Sequence, residues 1–315
     1  MISQGFSCFY ICNFPYLLKR VNVMQEPKIQ IKKKYWSSED AFKYCEKIAR
    51  NHYENFPVAS RFVPRNIRKY VWAVYAFARI ADDYADESGY TLAERIENLN
   101  QWEKFLVECY NGNPTHRVFA ALAETVERFQ IPIELFQNLI NAFRSDVLVK
   151  RYETFDDVLN YCRNSANPVG RIMLLLFNYR NEKLMEYSDF ICTGLQLANF
   201  WQDVSIDLQK DRIYIPLEDM EEFGYSVDDL FKKQINDNFR SLMAFEVQRT
   251  LDFFVTGMPL IKNVDKELSM ELKLIWYGGT SILKKIHELG YDVITYRPKL
   301  NLLNKVNIFF KALLV

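Results

Sequence analysis

Asp82 and Asp86 lie four residues apart, and so do Asp203 and Asp207. On a helix that spacing stacks the two carboxylates of each pair on one face. Each pair continues up its own helix as a polar stripe. Tyr75, Arg79, Asp82 and Asp86 fall at intervals of four, three and four, and Gln196, Asn199, Asp203 and Asp207 at three, four and four. The intervening residues are mostly aromatic or aliphatic. Like charges at i and i+4 cost an isolated helix roughly 0.2–0.5 kcal/mol, so stability alone gives no reason for either pair. A cation between them does. Magnesium takes hard oxygen ligands, and one or two carboxylates with waters and substrate phosphates complete its shell. Facing aspartate pairs with a diphosphate between them meet that requirement, and the metal would neutralise the leaving group as its carbon–oxygen bond breaks. A single Asp-x-x-x-Asp is common on solvated helix faces. Two copies, each set in apolar sequence and each extended by polar partners, point to a metal–diphosphate centre.

The elements that must hold these stripes are helices. Ten glycines and ten prolines punctuate 315 residues, and apolar residues recur mostly at helical spacing, so the sequence predicts an all-α protein. Helix starts are legible where Ser or Thr precedes an acidic residue by three: Ser37 with Asp40, Thr91 with Glu94, Thr154 with Asp157. Pro64, Pro114 and Pro132 fall where other helices would begin. About nine or ten helices are expected, without repeats or low-complexity linkers. The reading is an N-terminal extension over 1–34, one catalytic domain over 35–300 with a central cavity between the acidic helices, and an amphipathic tail over 301–315. The stretch from Asp211 to Ser226, with Pro216 and Gly224, reads as a long loop that could act as a lid. In the tail, Leu302, Leu303, Val306, Phe309, Phe310, Leu313 and Leu314 form an apolar stripe, with Lys305 and Lys311 available to the other face. Amphipathicity does not separate a helix resting on a membrane from one packed on the protein's own body.

Lysines plus arginines and aspartates plus glutamates number 40 each, so net charge gives no case for a nucleic-acid partner. The six cysteines, Cys8, Cys12, Cys45, Cys109, Cys162 and Cys192, form no C-x-x-C pair and read as reduced thiols of a cytoplasmic protein. Phe6, Phe9, Tyr10, Ile11, Phe14 and Leu17 make an apolar stretch, but Lys19 and Arg20 follow it and no small-residue cleavage site is evident. It therefore fails the secretory pattern, and it is short for a membrane span. Met24 offers an alternative start.

The motifs Tyr75-Ala-Phe-Ala-Arg-Ile-Ala-Asp-Asp-Tyr-Ala-Asp86, Gln196-Leu-Ala-Asn-Phe-Trp-Gln-Asp-Val-Ser-Ile-Asp207 and Asp211-Arg-Ile-Tyr-Ile-Pro216 resemble the squalene and phytoene synthase family. These enzymes join two prenyl diphosphates head to head. The resemblance covers about Tyr35 to Lys299. It implies an isoprenoid-synthase helical bundle in which Asp82, Asp86, Asp203 and Asp207 hold magnesium, with Asn199 joining the second set and Gln196 beside it. By the same likeness Arg79, Arg212 and Tyr214 contact the diphosphate, Tyr75 joins the aspartates as a catalytic candidate, and His52, Asn55 and Gln202 belong to the substrate site.

Within that family, His52-Tyr-Glu-Asn-Phe-Pro-Val-Ala-Ser60, Tyr161-Cys-Arg-Asn-Ser-Ala-Asn-Pro-Val-Gly170 and Asn199-Phe-Trp-Gln-Asp203 are most similar to bacterial hydroxysqualene synthase. The likeness implies a lyase that ionises presqualene diphosphate and lets water capture the rearranged cation, in squalene and hopanoid formation, without a nicotinamide. A presqualene diphosphate synthase and a hydroxysqualene dehydroxylase would be its pathway neighbours, and contact at the inner face of the membrane stays open. Glu54-Asn55 and Gln202 stand where many members carry positive charge, which is compatible with handling one diphosphate instead of two. Pro168 and Gly170 interrupt a helical run, so Arg163, Asn164 and Asn167 become candidates for the polar part of the cavity. Phe77, Tyr84, Phe200 and Trp201 are either cation-stabilising faces or core. Two other readings remain: a condensing transferase making presqualene diphosphate, squalene or phytoene, and a non-catalytic helical assembly protein of the same fold. A terpene cyclase is a weaker third, since its second motif has a different polar pattern.

Overall fold

The computed structural model describes residues 36–51, 63–86 and 89–314. The extension over 1–34, the Met24 start, Cys8, Cys12, and the candidates His52 and Asn55 lie outside the described residues.

Among the described residues all regular structure is helical: α1 (Ser38–Asn51), α2 (Arg68–Asp86), α3 (Leu92–Tyr110), α4 (Arg117–Phe129), α5 (Ile133–Leu148), α6 (Phe155–Ser165), α7 (Asn167–Leu176), α8 (Glu182–Gln209), α9 (Leu217–Glu222), α10 (Val227–Phe231), α11 (Asp237–Gly257), α12 (Pro259–Lys262), α13 (Lys266–Glu288) and α14 (Leu302–Leu314). The excess over the expected nine or ten comes from the short α9, α10 and α12 and from a break at Ala166, where Pro168 opens α7. Thr91–Glu94 and Thr154–Asp157 form reciprocal capping boxes, and Ser37 Oγ accepts from the Asp40 amide at 3.1 Å. Pro132 caps α5, whereas Pro64 and Pro114 sit in the turns before α2 and α4.

Helix α8 is the axis of the molecule. From Phe190 to Gln202 it carries no charged residue, and most of its 28 residues are buried, as expected of a helix surrounded by others. It packs against α7, α11 and α13. Close approach to α11 depends on Gly257, where a Cβ would lie 2.8 Å from the Tyr187 carbonyl oxygen. The same core continues beneath α2 as an aromatic cluster, where Phe77 meets Trp102, Phe119 and Phe136.

The expected lid over Asp211–Ser226 is instead a fixed wall. Asp211 takes φ 56° and reverses the chain at the end of α8. Arg212, Ile213, Tyr214 and Ile215 are then buried. The amides of Ile213, Leu217 and Glu218 each donate at 3.0 Å to the carbonyls of Lys150, Tyr152 and Glu153. Backbone bonds along a buried segment oppose the opening that a lid requires. The tail also differs from the simple self-packed reading. Helix α14 seats on α13 through Ile308 and Ala312, while the apolar stripe is exposed. No helix among the described residues is long and apolar enough to cross a membrane.

Candidate active site

Helix α2 carries the first stripe inward. Tyr75 and Asp82 are buried, and burial pushes the Tyr75 hydroxyl up to about 12. Asp82 is 2% exposed and its Oδ1 has no hydrogen-bond partner. Burial drives its carboxyl well above the ordinary range, against the opposing pull of Arg79, whose guanidinium is 3.5 Å from Oδ2 and also pairs with Asp83. Asp86 behaves oppositely. Burial resists its ionisation, but Lys210 and Arg212 outweigh that and hold the carboxyl below its usual range. Lys210 Nζ lies 2.7 Å from Asp86 Oδ2, and Arg212 Nη2 is 3.3 Å from Oδ1.

Those two cations follow directly on the helix that bears the second stripe. The chain therefore ties the end of α8 to the end of α2, where the first motif closes. On α8, Gln196, Asn199, Asp203 and Asp207 are all buried. Arg297, from the segment between α13 and α14, grips Asp203 with Nε at 2.5 Å from Oδ1 and Nη2 at 3.1 Å from Oδ2, a two-pronged charge-assisted contact. Gln202 is held by the same segment, since its Nε2 donates to the Pro298 carbonyl at 2.6 Å. Gln202 thus faces the protein's own backbone, not an open substrate site.

A third carboxylate, Asp146 of α5, joins the two stripes and was missed from sequence because no motif marks it. It is 3% exposed and accepts from the Tyr161 hydroxyl at 2.8 Å and the Tyr214 hydroxyl at 3.3 Å. Burial raises its carboxyl to about 6, while Arg212 and the Tyr161 hydrogen bond restrain the rise. Arg212 also donates to the Asp146 carbonyl at 2.7 Å, so one guanidinium ties α5 to Asp86. Tyr214 stacks on Phe200 with centroids 3.8 Å apart. Phe200, Asp207, Arg212 and Tyr214, with Val204 and Leu230, line a small cavity beside the second stripe.

Other candidates lie apart from this centre. Arg163 is exposed and pairs with Asp156, and Asn164 bonds the Asn160 carbonyl, because α6 turns Tyr161, Cys162 and Ser165 inward instead. Neither shapes a cavity as the helix break suggested. Asn167 is buried and accepts from Thr193 Oγ1 at 3.0 Å. Phe77 belongs to the aromatic core, Tyr84 leans on Trp102, and Trp201 is committed to Thr250 through its ring N–H. Phe200 alone of those four aromatics lines the cavity. Cys45, Cys109, Cys162 and Cys192 are buried free thiols.

The squalene/phytoene synthase family pattern matches residues 49–304, a span that includes both stripes, Asp146 and Arg297. This chain belongs to that family. It is 30% identical to the 15-cis-phytoene synthase of Synechocystis sp. over 83% of this chain and 81% of the relative. It is 28% identical to the phytoene synthase of Arthrospira platensis over 82% and 87%. Among solved structures, squalene synthase HpnC from Alicyclobacillus acidocaldarius matches with a TM-score of 0.78 and 39% identity, covering 81% of this chain and 95% of that one. A dehydrosqualene synthase solved in complex with a ligand matches with a TM-score of 0.77 and 25% identity, covering 87% and 96%. The family is one of head-to-head isoprenoid synthases.

Proposed function

We propose that this enzyme converts presqualene diphosphate and water to hydroxysqualene and diphosphate, with magnesium as its cofactor. One observation carries the reading of a diphosphate centre: Lys210 and Arg212, just past the second motif, reach Asp86 of the first, so cations and a carboxylate meet where the two motif helices end. The squalene-type substrate is supported by 39% identity to squalene synthase HpnC, above the 30% shared with the Synechocystis phytoene synthase.

The donors suit a hard divalent ion. Asp82 offers a buried carboxylate oxygen without a hydrogen-bond partner. No three His, Cys, Asp or Glu side chains among the described residues are placed to hold a metal by themselves, and magnesium that keeps diphosphate oxygens in its shell needs only one or two carboxylates from the protein. Asp82, Asp86, Asn199, Asp203 and Asp207 would hold magnesium, which would offset the charge on the departing diphosphate.

The chain's own cations have a matching part. Arg79, Lys210, Arg212 and Arg297 now satisfy aspartates; a bound diphosphate would receive them as those aspartates turn to metal. Arg212, fixed on the Asp146 carbonyl, would hold its place at the diphosphate. The stacked Phe200–Tyr214 pair, backed by Tyr152, walls a small cavity beside the second stripe and keeps that side of the centre apolar. Loss of the carbon–oxygen bond leaves the pair of electrons on diphosphate. Water then forms the new carbon–oxygen bond and releases a proton.

A second reading, condensation of two prenyl diphosphates, is favoured by the phytoene synthase relatives. The deciding experiment incubates purified enzyme and magnesium, without nicotinamide, separately with presqualene diphosphate and farnesyl diphosphate, and identifies products by mass. Hydroxysqualene from presqualene diphosphate, with farnesyl diphosphate untouched, is the expected outcome. Consumption of farnesyl diphosphate would assign the condensing reaction instead.

A further inference from the structure

Helix α14 presents an apolar face that the rest of the described protein does not cover. Leu303 is 78% exposed, Phe310 57% and Leu314 84%, and Val306, Phe309 and Leu313 are exposed with them. At 100° per residue these six side chains occupy a sector of roughly 140°. Ile308 and Ala312, on the other side, are buried against the body. Exposed Lys311 lies at one border of the apolar sector and half-buried Lys305 at the other, and the helix contains no acidic residue. Lys299, just ahead of it, is exposed.

The helix is seated, not loose. Its root is fixed four residues upstream by the Pro298 carbonyl, which accepts from Gln202, and by Arg297, which grips Asp203. The exposed face is therefore held in one orientation relative to the site. Thirteen residues rise only about 20 Å, too short to cross a hydrocarbon core of about 30 Å, so the helix suits lying in an interface.

We propose that α14 docks this protein on an anionic lipid surface, with the apolar sector in the acyl boundary and Lys305 and Lys311 reaching to phosphate headgroups on either side. A second copy fits the same face less well. Pairing two such faces sets lysines against lysines with no carboxylate on either helix to compensate. The proposal is independent of which isoprenoid diphosphate the enzyme consumes.

The test is sedimentation of the full chain with phosphatidylglycerol vesicles and with phosphatidylcholine vesicles, at low and at raised salt, beside light scattering of the protein alone. The parent should sediment with phosphatidylglycerol at low salt, less with phosphatidylcholine, and should be monomeric alone. Leu303→Ser with Phe310→Ser, and separately Lys305→Gln with Lys311→Gln, should each weaken vesicle binding about tenfold or more, because apolar burial and headgroup attraction both contribute. Both variants should keep parental melting temperature and turnover of detergent-dispersed substrate. Absent binding, equal binding to both lipids, or binding unchanged in both variants overturns the proposal. So does a parental dimer that the Ser variant splits into monomers, which would assign the face to a second copy.

Discussion

Arg297 and Asp203 are separated by 94 residues of sequence, yet their side chains form a two-pronged ion pair at the second acidic motif. The guanidinium occupies both oxygens of a carboxylate that magnesium would require. Removing it leaves a buried carboxylate without its main partner, at a cost of about 1–3 kcal/mol. Arg297→Ala should therefore melt earlier than the parent in chelator. Magnesium plus inorganic diphosphate should raise its melting temperature more than the parent's, because the ion no longer competes with an arginine. Scanning fluorimetry reads both shifts, and an identical magnesium effect in the two proteins would rule out competition at Asp203.

Asp82 carries the opposite trade. Its carboxyl is charged only at a cost from burial, which the nearby Arg79 does not cancel. Asp82→Asn removes that cost while keeping the shape. The metal-free variant should melt about 2 °C or more above the parent, the shift that roughly 1 kcal/mol produces in a large domain. Turnover should fall at least about a hundredfold, as expected when an ion supplying several kcal/mol to the transition state is lost. Thermal scans in chelator and a diphosphate-release assay check the pair of effects; a destabilised variant that stays active would falsify the assignment.

The stripes were legible because helical periodicity acts within a dozen residues: Asp82 with Asp86, and Asp203 with Asp207, share a face whatever the rest of the chain does. What joins them was not legible. Asp146 follows Arg144-Ser145 in an ordinary amphipathic helix, and its role arises only when α5 meets Tyr161 and Tyr214 from elsewhere. Arg297 is equally mute in sequence, since the pairing depends on where α13 returns the chain. The wall at Arg212–Ile215 was misread as a lid because Pro216 and Gly224 signal irregular backbone, and local composition does not tell a buried irregular segment from an exposed one. Arg163 was misplaced for a related reason. Pro168 does mark a helix break, at Ala166, whereas Gly170 sits within α7, and which face of α6 turns inward is set by tertiary packing of Tyr161 and Cys162.

Asp146 has two phenolic donors of unequal quality. Tyr161 donates at 2.8 Å and Tyr214 at 3.3 Å. Tyr161→Phe should cost about 1–3 kcal/mol in urea unfolding, the range for stripping a good donor from a buried charged group. Tyr214→Phe should cost less, since its ring keeps the stack on Phe200 and the hydrogen bond it loses is long. Equal or reversed losses would show that the Asp146 carboxylate is not held chiefly by Tyr161.

Glu271 on α13 gives a pH signature that belongs to the fold and not to the active centre. It is 3% exposed, its Oε2 has no hydrogen-bond partner, and burial alone pushes its carboxyl up to about 8. The unfolded chain has the ordinary value of 4.5, so between 4.5 and 8 the folded chain holds a proton that the unfolded chain has lost. Folded stability therefore falls as pH rises through that window, by up to about 1.4 kcal/mol per pH unit, and the contribution levels off above it. Glu246 shares the direction, also raised to about 8 by burial, but Arg249 pairs with it at 2.7 Å, so its contribution remains when Glu271 is changed. Glu271→Gln, neutral at every pH, should flatten the decline of melting temperature between pH 5 and 8 and leave a residual slope from Glu246, Asp82 and Asp146, whose carboxyls burial also raises. Melting curves across that range decide the matter: a slope unchanged from the parent would mean that Glu271 is not protonated in the folded chain.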